Sequence, residues 1–208
     1  RHGMYDCKIP HRHKHLDALD EIAAWLDWLE AQGAGSVALL GHSRGGNQVT
    51  RFATERGHSK LISIIMLAPS QGGGRSPKSY EKAHGKPLNE ILKKAKVLVK
   101  AGKGAQILSG TDILYCPSSD VAAETFLSYY NQDPRADTVN LLPTLKIPSL
   151  VVAGGNDTVV RGLPERIKSI ADGIRLVLAV VEDADHFFLD LFAEDVADHI
   201  ENFGLFGS

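Results

Sequence analysis

Two short apolar runs, each broken only by a small residue, bracket a helical stretch in the first third of the chain: Ser36-Val37-Ala38-Leu39-Leu40-Gly41 and Leu61-Ile62-Ser63-Ile64-Ile65-Met66-Leu67. Each is too short for a helix and lacks the alternation of a half-exposed strand, so each reads as a strand covered on both faces. Ahead of the first run, Leu19, Ile22, Ala23, Leu26 and Leu29 fall at helical spacing with Asp20, Glu21, Asp27 and Glu30 opposite, which predicts an amphipathic helix ending near Gly33. Between the runs, a helix from about Arg44 to Gly57 would bury Val49, Phe52 and Ala53. The alternation returns at the far end, with a strand over 147–153, a helix over 163–171, a strand over 174–181 and a helix over 189–203. In that last helix Leu189, Phe192, Ala193, Val196, Ala197, Ile200 and Phe203 form the stripe expected to face the core. Strands of this kind alternating with helices predict an α/β fold, with a parallel sheet of about four strands flanked by helices.

The composition shifts between the two blocks. Gln71-Gly72-Gly73-Gly74 and Ser76-Pro77 open a flexible connection, after which Leu88, Ile91, Leu92, Ala95, Leu98 and Val99 repeat at helical spacing. The expectation is a core of residues 1–69 and 136–208 carrying a helical lid or cap over 70–135, which suits a 208-residue chain better than two domains of ordinary size. Residues 75–103 hold nine Lys or Arg against Glu81 and Glu90, while 182–201 hold eight Asp or Glu and no Lys or Arg. These read as solvated faces of opposite sign, with docking between them or onto an anionic surface as the alternative.

Charge and hydropathy exclude several partners. The formal net charge of −2 exerts no chain-wide pull on nucleic acid, and no apolar run approaches the roughly 20 residues of a membrane-spanning helix. Cys7 and Cys116 are too few for a disulfide framework and lack zinc-site spacing, so both are expected to be free thiols. For Cys116 a buried inert thiol is expected, with pocket lining as the alternative. Residues 1–15 read as a loop. In it His11, His13 and His15 alternate, but without a carboxylate or Cys partner they are expected to be polar loop residues, and no metal or other cofactor is expected. Trp25 and Trp28 are expected to pack within their helix interface. No leader pattern follows Arg1, and the cytoplasm stands as the default compartment.

The chemistry is carried by Gly41-His42-Ser43-Arg44-Gly45, a G-x-S-x-G sequence. It falls where a buried strand turns into a helix, the setting in which small neighbours permit a strained turn that lifts a serine oxygen clear of the sheet. The Arg44 backbone N–H, at the start of that helix, is placed to donate to a developing oxyanion, a contact worth about 3–4 kcal/mol in a transition state. A serine hydroxyl needs a base, and the base needs a carboxylate to fix its tautomer. His186 follows the last expected strand and Asp157 follows the one before it, so all three residues fall at carboxyl ends of parallel strands. Asp183 and Asp185 are rivals for the acid role, but their closeness to His186 favours surface or capping duties. His42, Ser70 and Phe187 are pocket candidates, and Phe187 and Phe188 are expected to pin the histidine loop to the core.

The order Ser43, Asp157, His186, together with Leu39-Leu40-Gly41-His42-Ser43-Arg44-Gly45-Gly46, Gly154-Gly155-Asn156-Asp157-Thr158-Val159 and Ala184-Asp185-His186-Phe187, resembles the α/β-hydrolase family. The match covers residues 16–68 and 147–203, with 70–135 similar to the family's variable lid. The resemblance implies acyl transfer: Ser43 attacks a carbonyl, His186 shuttles the proton, Asp157 orients His186 and water releases the acid. It implies a serine hydrolase acting on a small or medium carboxylic ester. The alternatives are a thioesterase, amidase or perhydrolase on the same triad, or a non-catalytic oligomerising remnant of the fold.

Against the family's eight strands, this sequence is expected to begin after the fourth, with Arg1-His2-Gly3-Met4-Tyr5-Asp6 as the loop that follows it. His2-Gly3 is then not the oxyanion loop that the family places after its third strand, and losing one donor costs about two to three orders of magnitude in rate. The strand at 36–41 would lie at an open sheet edge, which predicts a homo-oligomer formed through that edge.

Overall fold

The computed structural model describes residues 7–72 and 76–204. Residues 1–6, which include His2-Gly3, and residues 73–75, within the Gly-rich connection, lie outside the described residues. The chain divides into two compact units. One comprises Leu19–Gly72 and Pro134–Ser208, and the other Arg1–Ala18 and Gly73–Asp133.

The first unit is built on four parallel strands, β1 (Val37–His42), β2 (Leu61–Leu67), β5 (Ser149–Gly154) and β6 (Leu176–Val181), in the order β1-β2-β5-β6. Their apolar runs are buried as that order requires, since β2 and β5 are central and Ile64, Met66, Val151 and Val152 are fully enclosed. Helix α1 (Asp17–Ala31) precedes β1, and α2 (Arg44–Glu55) packs on β1 and β2 through Val49 and Phe52. Asp20, Asp27 and Glu30 on α1 pair with Arg56, His58 and Lys60, which tie that helix to the α2–β2 connection. Helices α6 (Leu163–Lys168) and α7 (Leu191–Asn202) pack against β5 and β6.

Two expectations for these helices are corrected. Trp25 and Trp28 are 64% and 52% exposed, stacked edge to face on each other rather than packed inward. Only Leu19 and Leu26 of the α1 stripe are fully buried. In α7 only Val196 is fully buried, and Leu189 lies exposed before the helix begins. Both helices have a narrower buried stripe than their apolar content suggested.

The second unit was expected to be helical. It contains α3 (Pro77–His84), α4 (Leu88–Lys100) and α5 (Ala123–Tyr130), but also an antiparallel hairpin of β3 (Ile107–Ile113) and β4 (Cys116–Ala122). Helix α3 starts on Ser76, whose hydroxyl accepts from the Ser79 N–H, and stops at Gly85 in the left-handed region. Tyr80, Leu88, Leu92, Ala95, Phe126 and Tyr130 pack with Leu108 and Val121 of the hairpin into a core of its own. The hairpin escapes a period-2 reading because its register shifts on both sides of Thr111, and Gly110 and Pro117 interrupt the pattern.

The segment before α1 is not a free loop. His11 exchanges main-chain hydrogen bonds with Asp120 and Ala122 beside β4, and Cys7 forms a disulfide with Cys116. The free-thiol expectation is therefore corrected: a count of two says nothing against a bridge when the fold brings the pair together, here across 109 residues. His13 and His15 lie edge-on to the Tyr129 ring, and among the described residues no cluster of His, Cys, Asp and Glu is arranged to hold a metal. Nor is any described helix long and apolar enough to cross a membrane.

Candidate active site

Ser43 stands between β1 and α2 with φ 53° and ψ −115°, a costly conformation for a residue with a side chain. Two main-chain bonds hold it there. Its N–H donates to the Leu67 carbonyl at 2.8 Å, and its own carbonyl accepts from the Ser70 N–H at 2.9 Å. The turn is closed by glycine. A Cβ on Gly41 would collide with the Gly45 carbonyl, and one on Gly46 would come within 2.9 Å of the Pro69 Cβ.

Asp157 and His186 leave the carboxyl ends of β5 and β6, as the sequence places them. His186 Nε2 lies 3.0 Å from Ser43 Oγ, and His186 Nδ1 lies 2.7 Å from Asp157 Oδ2. The histidine and aspartate side chains are buried to 6% and 3% exposure, so a charge on either needs partners. Asp157 has them, for its Oδ1 accepts from the Val159 N–H at 2.6 Å and the Val160 N–H at 3.0 Å. Burial alone would push this carboxyl up, but the Val160 N–H, the His186 imidazole and the Val159 N–H together hold it below the usual carboxylate range. The aspartate is thus kept ionised beside the imidazole.

Three close approaches that the sequence did not reveal fix the histidine loop. The Asn156 N–H donates to the Ala184 carbonyl at 2.9 Å and the Gly155 N–H to the Val181 carbonyl at 2.9 Å. Gly154 lies so near the loop that a Cβ would stand 2.6 Å from the Ala184 oxygen. The pair Gly154-Gly155 was the available signal, since adjacent glycines after a buried strand mark close backbone contact.

The remaining sequence candidates sort by their contacts. Asp185 accepts from the Phe187 N–H, a local cap, and Asp183 faces Asn156, so neither meets the His186 imidazole. Phe188 is buried under the loop as expected, whereas Phe187 is 61% exposed and lies on the surface beside the His42 and His186 rings. The Ser70 hydroxyl accepts from the Gly72 N–H, and its carbonyl accepts from Thr138, which ties the loop after β2 to the 134–140 segment. His42 Nε2 donates to the main-chain carbonyl of His186 at 2.7 Å.

A parallel sheet whose strand ends bring serine, histidine and aspartate into hydrogen-bonded sequence is the architecture of an α/β hydrolase. A family model described as "Alpha/beta hydrolase family" matches residues 2–199, and the chain belongs to that family. A comparison with curated proteins gave no significant match. Solved structures similar to this chain include a monoacylglycerol lipase from Paleococcus ferrophilus, 20% identical over 93% of this chain and 76% of the other, with a TM-score of 0.59. A thermophilic esterase from Thermogutta terrifontis is 21% identical over 94% and 73%, with a TM-score of 0.56. The α/β hydrolase GrgF from Penicillium is 11% identical over 92% and 71%, with a TM-score of 0.65. At these identities the likeness is one of fold.

Proposed function

We propose that the protein is a serine hydrolase that cleaves carboxylic esters through an acyl-enzyme on Ser43. The observation that carries this reading is the unbroken chain from Ser43 Oγ to His186 at 3.0 Å and from His186 to Asp157 at 2.7 Å. In it His186 takes the serine proton as Oγ bonds to the substrate carbonyl carbon, then passes that proton to the leaving alcohol. Water, deprotonated by the same imidazole, next attacks the acyl carbon, and Ser43 regains its proton as the acid leaves. Asp157 fixes the histidine tautomer and stabilises the imidazolium. The Arg44 N–H, first in α2, donates to the oxyanion with the helix dipole behind it. An esterase and a lipase among the structures similar in fold support an ester as substrate, with a thioester or amide as the alternative on the same triad.

The test is a fluorophosphonate probe combined with a p-nitrophenyl ester panel. One adduct on Ser43 is expected, lost in Ser43→Ala and in His186→Ala, with ester turnover falling by about four to six orders of magnitude. Asp157→Asn should cost about four orders through loss of the tautomer. Equal turnover by wild type and Ser43→Ala would overturn the reading, and a folded chain that the probe does not label would favour a non-catalytic member of the fold. The reading extends to assembly, because among the described residues β1 is an edge of the sheet and its Leu40 is 50% exposed, a surface suited to pairing with a second copy of the chain.

A further inference from the structure

Resting on the triad reading above, we propose that His42 is the positioning residue that sets the distance between nucleophile and base. By donating from Nε2 to the His186 main-chain carbonyl, it clips the loop that carries the base to the strand that carries the serine.

The loop over 181–188 has hydrogen bonds of its own, from the Ala184 N–H to the Val181 and Glu182 carbonyls and from the Phe187 N–H to Asp185, but its backbone also needs outside support. Asp183 and Phe188 both sit at positive φ, 60° and 51°, backbone that costs free energy unless the surroundings impose it. On the side of Asp157 the loop is tied three times, by the Gly155 N–H to Val181, the Asn156 N–H to Ala184 and the Asn156 amide to the Asp183 carbonyl. Those bonds fix His186 relative to the acid. On the side of Ser43, His42 donates to the His186 carbonyl, and the bond is short, at 2.7 Å. The two imidazoles lie 4.8 Å apart, and the Phe187 ring contacts both. His42 is the last residue of β1 and is joined directly to Ser43, so its reach to the loop converts strand position into the Ser43–His186 distance. Because the acceptor is a carbonyl, Nε2 must carry the hydrogen, and it carries one in both the neutral and the charged imidazole that satisfy this bond. Displacing a reacting group by about 1 Å costs roughly 100-fold in rate, which is the scale of effect that such a clip controls.

The experiment compares His42→Ala, His42→Asn and His42→Gln in the full chain. It measures kcat and KM for p-nitrophenyl acetate, the rate of fluorophosphonate labelling at Ser43 and the thermal midpoint. Ala and Asn should lower kcat by roughly 10- to 100-fold with KM within about twofold, and slow labelling in parallel. Gln places its amide nitrogen near the position of the imidazole Nε2, so it should recover most of both rates, which a merely space-filling role would not predict. If the Ala variant does not fold, the contrast between Gln and Asn decides. A labelled wild type whose Ala variant keeps its kcat, or a Gln variant no faster than Asn, overturns the positioning role alone. A wild type that is neither labelled nor hydrolytic overturns the serine-hydrolase reading and this inference with it.

Discussion

Gly41 and Gly154 show how strictly single positions govern the site. A side chain on Gly41 would meet the backbone of Gly45 and Gly46 at the start of α2, and one on Gly154 would meet the carbonyls of Ala184 and Asp185. Backbone obstacles cannot swing aside, so either alanine must displace the turn bearing Ser43 or the loop bearing His186. Gly41→Ala and Gly154→Ala should each destabilise the fold by about 1–3 kcal/mol and sharply slow fluorophosphonate labelling, which denaturant melts and labelling kinetics would check. Unchanged labelling in both would show that the close approaches do not control the site. The glycines flanking Ser43 were readable in the sequence because the turn imposes them locally. The bond from His42 was not, since its partner lies 144 residues away.

At the scale of elements, the buried parallel strands were legible because continuous apolar runs have few other uses. All four fall where the runs predicted, and their order places Ser43, Asp157 and His186 at one end. The β3–β4 hairpin was illegible, as its shifted register erased the alternation that marks a half-buried strand. The same hairpin carries Cys116, and its bond to Cys7 closes a separation of 109 residues. Loop-closure entropy for a ring of that size corresponds to about 4–5 kcal/mol at 25 °C, though native disulfides commonly deliver about 2–5. Reduction, or replacement of both cysteines by serine, should therefore lower the denaturant midpoint measurably. A midpoint indifferent to reductant would show that the bridge does not stabilise the native chain.

For the whole molecule, stability in acid draws chiefly on two buried carboxyls held below their usual range, Asp157 and Asp112. Burial would push Asp112 up, but Lys86 at 2.6 Å and the Ser118 N–H outweigh it. A depressed carboxyl contributes stability that is fully present above its unfolded value, about 3.9, and is lost as pH falls through its lower folded value. Unfolding free energy should decline below about pH 4, and Asp112→Asn should flatten that decline; an unaltered slope would count against the assignment. Light scattering tests the expected pairing of β1 edges, and a stable monomer at high concentration would rule it out. The sequence by itself determined the parallel α/β frame, the serine turn and the order of the three site residues, because apolar periodicity and a glycine-bounded turn are local constraints. Only the tertiary structure decided that Cys7 meets Cys116, that Trp25 and Trp28 face outward and that His42 grips the His186 loop. Each of those depends on which distant segments become neighbours, and no residue spacing along the chain encodes that.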